Sequence, residues 1–253
     1  MIKLLNGEQW DEQELLVRML QDDFYYGYLG QHALSSSSAK KLLESPKAYH
    51  RSLTQSMDSQ ALRDGRLIHL SLLEPEKVQN LCITKGTKAS KAFKGAVAEY
   101  GSANVYTESE HRNAKYITDE LNNCSAVRDL LEGAMFEVPA VGNVYDLPFR
   151  AKADILKPNV VIDLKTTSDI SSFRYSAKKF GYDLQAALYM ELFGVDEFIF
   201  LVIDKKTKEI AIYDTTGDFA SSGWNKLEDA VSAYRDYLDP KFKPQDYVKY
   251  GTL

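Results

Sequence analysis

The chain predicts an α/β (α+β) domain in which helices flank a mixed central β-sheet, and three observations lead there. Helical periodicity dominates the first half of the 253 residues. Short apolar runs separated by turn signals replace it after residue 135. Helical patterning then returns twice, around one further pair of strands. A chain of this length buries about 75% of the surface its unfolded form exposes, so folding needs neither a disulfide nor a metal. The composition, 44% hydrophobic and 26% charged, excludes collagenous, low-complexity and disordered classes.

Each element has a local reason. Serines 35–38 are N-caps for a helix over residues 39–44, which Pro46 stops. Leu62, Leu70 and Leu73 recur at helical spacing and predict a helix over 60–73. Residues 109–132 read as helical with breaks. Strands follow over 136–141, 144–156 and 160–166, with the turn signal Lys157-Pro158-Asn159 between the last two. Residues 171–193 read as helix in two pieces broken near Gly181. Residues 197–204 and 209–214 form a hairpin around 205–208, and 219–238 closes the chain as an amphipathic helix. No repeat or long linker interrupts this order. It predicts one domain over 1–253: an acidic, helical extension over 1–33, a core over about 34–215, and a helix and tail over 216–253.

Several function classes are excluded. The longest apolar run, residues 198–203, is far below the ~18 needed to span a bilayer. The opening residues lack a secretory pattern. Cys82 and Cys124 form no CxxC, which argues against a disulfide framework, a zinc ribbon or a cysteine-bound cluster. The expected location is the reducing cytoplasm. No GxxxxGK[ST] motif is present, so no nucleotide cofactor is expected. A net charge of −5 lowers the odds of a nucleic-acid partner, but the charge is unevenly spread. Residues 8–23 hold six acids against Arg18, whereas Lys85, Lys88, Lys91 and Lys94 cluster without an acid. An acidic total also suits carboxylates gathered around divalent cations.

The informative segment is Asp154, Asp163 and Lys165 on adjacent predicted strands. Residues i and i+2 of a strand share a face, so Asp163 and Lys165 project together and Asp154 can meet them from its neighbour. Two readings compete. In one, Asp163 and Lys165 are a same-face ion pair on a half-exposed strand. In the other, Asp154 and Asp163 are hard oxygen ligands for Mg²⁺, which acidifies water and offsets charge on a phosphodiester while Lys165 orients the water or neutralises the transition state.

Asp154 with Asp163-Leu164-Lys165 resembles the core of the PD-(D/E)XK nuclease superfamily. Four segments narrow the likeness to the exonuclease VIII (RecE-type) branch, a phage-type recombination exonuclease. They are Leu34-Ser35-Ser36-Ser37-Ser38 with Ser45-Pro46-Lys47-Ala48-Tyr49, then Gly65 to Glu76, Ile162 to Thr167, and Gly181 to Tyr189, in the family's order. Ala153 stands where the superfamily name has Pro.

The resemblance implies a restriction-endonuclease-like core and roles for single residues. His69 would complete the metal site, against the alternative of a core histidine beside Leu70 and Leu73. Glu137 and the Leu164 carbonyl would also ligate metal. Gln185 would act beside Lys165, with Tyr182 and Tyr189 near the DNA backbone. Ser35 and Ser37 would contact phosphate, with helix capping as the competing role. Arg174, Lys178, Lys179 and the 85–94 lysines are candidate backbone contacts, with a solvated face as the alternative. The implied activity is Mg²⁺-dependent, ATP-independent 5′→3′ hydrolysis of linear double-stranded DNA, with Mn²⁺ substituting and one or two ions per site. It would leave 3′ single-stranded tails for a single-strand annealing protein, from a ring-shaped homo-oligomer. The rivals are an endonuclease or 3′→5′ nuclease of the same core, and a catalytically silent DNA-end-binding adaptor.

Overall fold

The computed structural model describes residues 1–55, 59–238, 241, 243, 247 and 248. The acidic extension is a small unit with a core of its own. A two-stranded ladder of β1 (Ile2–Lys3) and β2 (Gln9–Trp10) leads into α1 (Glu12–Met19), a π-helical turn at Asp23–Tyr28 and α2 (Leu29–His32). Leu15, Met19, Phe24, Tyr25 and Leu29 pack together and onto Val141 of the main sheet.

Helices follow: α3 (Ser36–Glu44), α4 (Pro46–Ser52), α5 (Gln60–Leu73) and α6 (Pro75–Val78). The Ser35 hydroxyl accepts the Ser38 N–H while the Ser38 hydroxyl accepts the Ser35 N–H, so α3 starts with a reciprocal cap. Next come β3 (Cys82–Thr84), α7 (Lys91–Tyr100) and β4 (Val105–Thr107), a parallel two-stranded unit for which the sequence pattern gave no prediction. The predicted helix over 109–132 is two helices, α8 (Glu108–Asn123) and α9 (Ser125–Leu131). Cys124 separates them with extended backbone, φ −77° and ψ 121°.

The main sheet has the order β5 (Met135–Val144), β6 (Leu147–Lys157), β7 (Val160–Thr167), β8 (Glu197–Asp204), β9 (Ile210–Asp214). Neighbours are antiparallel except β7 and β8, which run parallel because α10 (Phe173–Lys179) and α11 (Tyr182–Phe193) cross between them. The sheet is therefore mixed, as predicted. One boundary differs. The first predicted break, between 141 and 144, lies inside β5, and the hairpin turns instead at Tyr145 and Asp146. Both have left-handed φ, 50° and 65°, as a two-residue hairpin of matching twist requires.

The two faces of the sheet carry different helices. Phe198, Phe200 and Val202 join a cluster with Leu42, Leu184, Leu188, Leu227 and Val231, so α3, α11 and α12 (Gly217–Tyr237) cover that face. Leu201 and Ile203 join Leu67, Ile68, Ile117, Leu121 and Val127, so α5, α8 and α9 cover the other. The α11–α12 contact is close: a Cβ on Gly223 would stand 2.0 Å from the Asp183 carbonyl oxygen. The Lys226 ammonium meets the buried Asp183 carboxylate at 2.6 Å, which fixes α12 on α11.

Candidate active site

The site forms where the sheet opens. The β6–β7 ladder runs from Lys157↔Val160 to Ile155↔Ile162 and stops there. Ala153 packs in one core cluster and Ile155 in the other, so strict alternation breaks at Asp154. The Asp154 carboxylate fills the opening and accepts the Leu164 N–H at 2.8 Å, replacing a lost ladder bond. Opposite it on β5, Glu137 has φ 51°, a left-handed conformation that a non-glycine residue adopts only under constraint. From α5, His69 brings Nδ1 to 3.5 Å from Asp154 Oδ2. Donor atoms of His69, Glu137 and Asp154 all lie within 4.8 Å of one another.

Asp163 and Lys165 stand on β7, on either side of the Leu164 that Asp154 holds. Lys165 Nζ is 2.5 Å from Asp163 Oδ2 and donates to Gln185 Oε1 at 3.2 Å. Gln185 Nε2 donates to Asp163 Oδ1 at 2.6 Å. The three side chains close a ring, with Gln185 delivered by the first turn of α11. Gly181 starts that helix with φ 64°, which glycine adopts without strain. The Lys165–Asp163 contact lies outside hydrogen-bond geometry, so buried Asp163 Oδ2 has an ionic neighbour but no directional donor.

Burial and neighbouring charge set the protonation behaviour. Burial works against the charged form of Asp154, but His69, Lys165 and the Leu164 N–H outweigh it and hold the carboxyl below the usual range. Burial dominates at Asp163 and pushes it up despite Lys165. Glu137 is pushed up to about 7 by burial and then by the negative charge of Asp154. His69 and Lys165 are both raised: their carboxylate neighbours overcome burial, which alone would lower them. Acids held above their usual range, beside an imidazole, form a site short of positive charge. The donor set is one nitrogen and hard carboxylate oxygens, with an orphaned oxygen on Asp163 close by. It fits a hard divalent cation.

The structure divides the ligands that the sequence grouped. His69, Glu137 and Asp154 come together, while Asp163 meets Lys165 and Gln185. Leu164 reaches Asp154 through its N–H. Among the expected DNA contacts, Tyr182 lies beside the site, with Lys165 Nζ 4.6 Å from its ring centroid. Tyr189 does not reach the surface. It is 8% exposed, packs on Phe193 and Phe198, and its hydroxyl meets the Lys152 backbone. The i,i+4 spacing from Gln185 placed it on the right helix, but its ring serves the core. Ser35 is committed to the cap of α3, and Ser37 is exposed in the first turn. Arg174 and Lys178 are exposed on α10, with Arg174 5.7 Å from the Tyr213 ring centroid. Of the 85–94 lysines, Lys88 is tied to Glu110 at 2.8 Å, while Lys85, Lys91 and Lys94 are exposed.

Two lysines near the site carried no sequence signal. Lys152 bridges Glu137 at 3.2 Å and Asp22 of the extension at 3.0 Å. Alternation along β6 gives no hint of a buried lysine there. Lys40 sits on α3, in a polar run that reads as an ordinary solvated helix face.

A family model for a PDDEXK-like domain of unknown function (DUF3799) matches residues 35–249. The chain belongs to that family. The match begins at the cap of α3, so this PDDEXK-like chain carries its small N-terminal unit outside the matched region. No curated protein matches it. It is similar to a crystallised protein of Eubacterium rectale whose name provisionally assigns an exonuclease. The two are 16% identical with TM-score 0.67, over 98% of this chain and 97% of the other, which establishes a shared fold. More distant likenesses are a phage-related exonuclease of Haemophilus somnus (18% identical, TM-score 0.36, 81% and 92% covered) and an alkaline exonuclease of Laribacter hongkongensis (13%, 0.36, 86% and 94%). No helix among the described residues is long and apolar enough to cross a membrane.

Proposed function

We propose that this chain is a metal-dependent deoxyribonuclease that degrades linear double-stranded DNA from its 5′ ends without ATP. One observation carries the reading: the His69–Glu137–Asp154 cluster adjoins the Asp163–Lys165–Gln185 ring, because the Asp154 carboxylate accepts the N–H of Leu164, between Asp163 and Lys165. The exonuclease name of the Eubacterium rectale protein that shares its fold points the same way. His69, Glu137 and Asp154 would hold the cation, with Asp163 completing the set, as one or two Mg²⁺ or Mn²⁺ ions. The cation supplies a Lewis acid at the phosphodiester and makes water more acidic.

The chain's own residues do the rest. Asp163 and Gln185 hold the Lys165 ammonium in one place, so it needs no reorganisation when negative charge builds on the phosphate oxygens. Gln185 bridges Asp163 and Lys165 and fixes the spacing of acid and base. Lys165, 18% exposed, keeps a face open to the cleft. The products would be mononucleotides and 3′ single-stranded tails, the substrate of a single-strand annealing partner. We place the protein in the cytoplasm, as a single nuclease domain acting in a ring-shaped homo-oligomer.

The test is digestion of linear, 5′-phosphorylated duplex DNA with Mg²⁺ and no ATP, beside a covalently closed circle and the Asp163→Ala variant. Release of mononucleotides from the 5′ ends of the linear substrate only, lost in the variant, is the expected result. Cutting of the circle would replace the exonuclease with an endonuclease. Release from 3′ ends would reverse the polarity. DNA binding without cleavage would leave an end-binding adaptor.

A further inference from the structure

Lys40 lies on the face of α3 that meets the start of α11, beside the candidate site. Its aliphatic stem lies along the start of α11, where a Cβ on Gly181 would stand 3.3 Å from Lys40 Cγ. Its ammonium is 5.2 Å from the Tyr182 ring centroid, and Lys165 Nζ approaches the same ring at 4.6 Å. Two lysines thus share one aromatic ring at the edge of the site.

Their surroundings differ. Lys165 has Asp163 at 2.5 Å. The other ammonium nearby, Lys226, has Asp183 at 2.6 Å. The sequence neighbour of Lys40, Lys41, is an ordinary helix-surface lysine paired with Glu44 at 2.7 Å. Lys40 alone of these four has no carboxylate and no hydrogen-bond acceptor among the described residues. Burial, and then the charge of Lys165, push it down to about 8, and the more distant Asp163 and Asp183 carboxylates offset only part of this. A half-buried cation with no counter-charge in contact is costly, and a ring face offsets only part of that cost. Simple packing between α3 and α11 would be better served by methionine or leucine.

We infer that Lys40 contacts a phosphodiester of the DNA strand lying in this cleft, beside the one that Lys165 faces. The inference rests on the nuclease reading above and adds a substrate contact that α3 delivers through its packing on Gly181 and Tyr182. The α3 cap and the Gly181 turn thereby gain a joint purpose: they hold one ammonium at a fixed distance from the Lys165 ring of contacts.

The experiment measures binding of a 5′-phosphorylated duplex oligonucleotide by fluorescence anisotropy across a salt series, with Ca²⁺ present and cleavage verified absent. The proteins are the full chain, Lys40→Met and Lys40→Arg. Neutralising one phosphate contributes a slope of about 0.9 in log K against log salt. Lys40→Met should flatten the slope by about that amount and weaken binding about tenfold near physiological salt, while Lys40→Arg keeps the slope. Lys40→Met should also melt at or above the wild-type temperature, because a desolvated charge has been removed; loss of binding is then not loss of fold. An unchanged slope in Lys40→Met, with wild-type cleavage and binding intact, overturns the Lys40 assignment alone. A wild type that neither binds nor cuts DNA overturns the nuclease reading and this contact with it.

Discussion

The cleft buries charge at two corners in opposite ways. Around Lys165 the ammonium is held from two sides, by Asp163 and by the Gln185 amide that spans both, although Asp163 keeps one oxygen without a directional donor. Around Asp154 the acids are in excess. Glu137 and Asp154 share His69 and part of Lys152, which is also drawn toward Asp22. The first corner has its cation fixed by folding. The second lacks such a cation of its own, and a buried carboxylate that cannot share enough positive charge gains proton affinity, as Glu137 does. Corners of the two kinds respond differently to substitution, and the difference can be measured.

The largest effect is on cleavage, where both corners are needed but for separable reasons. Asp154→Asn and Lys165→Met should each slow hydrolysis of linear duplex DNA by about 10²–10³-fold or more. Raising the Mg²⁺ or Mn²⁺ concentration should recover part of the loss in Asp154→Asn and none in Lys165→Met. Equal recovery in both would erase the distinction between the corners.

Stability should separate them by sign. Asp163→Asn strands a mostly buried ammonium, and breaking such a pair costs about 3 kcal/mol. Lys165 is 18% exposed, which favours this low end of the range. Glu137→Gln removes an acid that the metal-free fold holds uncomfortably, so at pH 8 it should raise the denaturation midpoint. A fall there would mean that Glu137 is already paired well enough without a cation.

The same group gives a pH dependence. Its carboxyl titrates at about 7 in the fold against an ordinary value of 4.5. The folded state therefore holds the proton over a range in which the unfolded chain has lost it. The Glu137 contribution to stability in the metal-free protein is therefore full below pH 4.5 and is lost as pH rises through about 7, by up to about 3 kcal/mol. Glu137→Gln should flatten this window in urea melts at stepped pH. Above pH 7, a divalent cation at a hundred times its dissociation constant should restore about 2.7 kcal/mol, a gain lost in Asp154→Asn. Cation addition that moves neither protein would sink the open corner as a metal site.

How much of this was legible follows the same division. The sheet, its helices and the Asp163–Lys165 corner are local: alternation, caps and an i,i+2 relation on one strand all sit within a few residues. The open corner is not local. It joins residues 69, 137 and 154 through a ladder that stops early and a strand residue in a left-handed conformation, and neither leaves a periodic trace. Glu137 and His69 became visible only through the resemblance to the nuclease family. Tyr189 shows the reverse failure. Its spacing from Gln185 is correct for a shared helix face, yet that face also carries the core contacts of α11, and the ring went inward. Lys40 and Lys152 carried no signal, because a lysine on an amphipathic helix or an alternating strand looks the same whether it meets solvent or a cleft.

The smallest expected effect tests whether the N-terminal unit tunes the open corner. Asp22 is half-exposed, and it pairs with Lys77 at 3.2 Å as well as with Lys152. Pairs at this exposure contribute under about 1 kcal/mol, so Asp22→Ala should barely move global stability. Its consequence lies one contact further on. Lys152 is fixed between Asp22 and Glu137, with Tyr25 and Tyr26 rings 5.8 and 6.0 Å away. Freed from Asp22, its charge falls wholly on Glu137 and lowers that carboxyl. The upper end of the pH window should then shift downward in Asp22→Ala, and more cation should be needed for the same thermal gain, since Lys152 competes for the same oxygen. A window that stays in place would make the Asp22–Lys152 pair a clamp for the extension and nothing more.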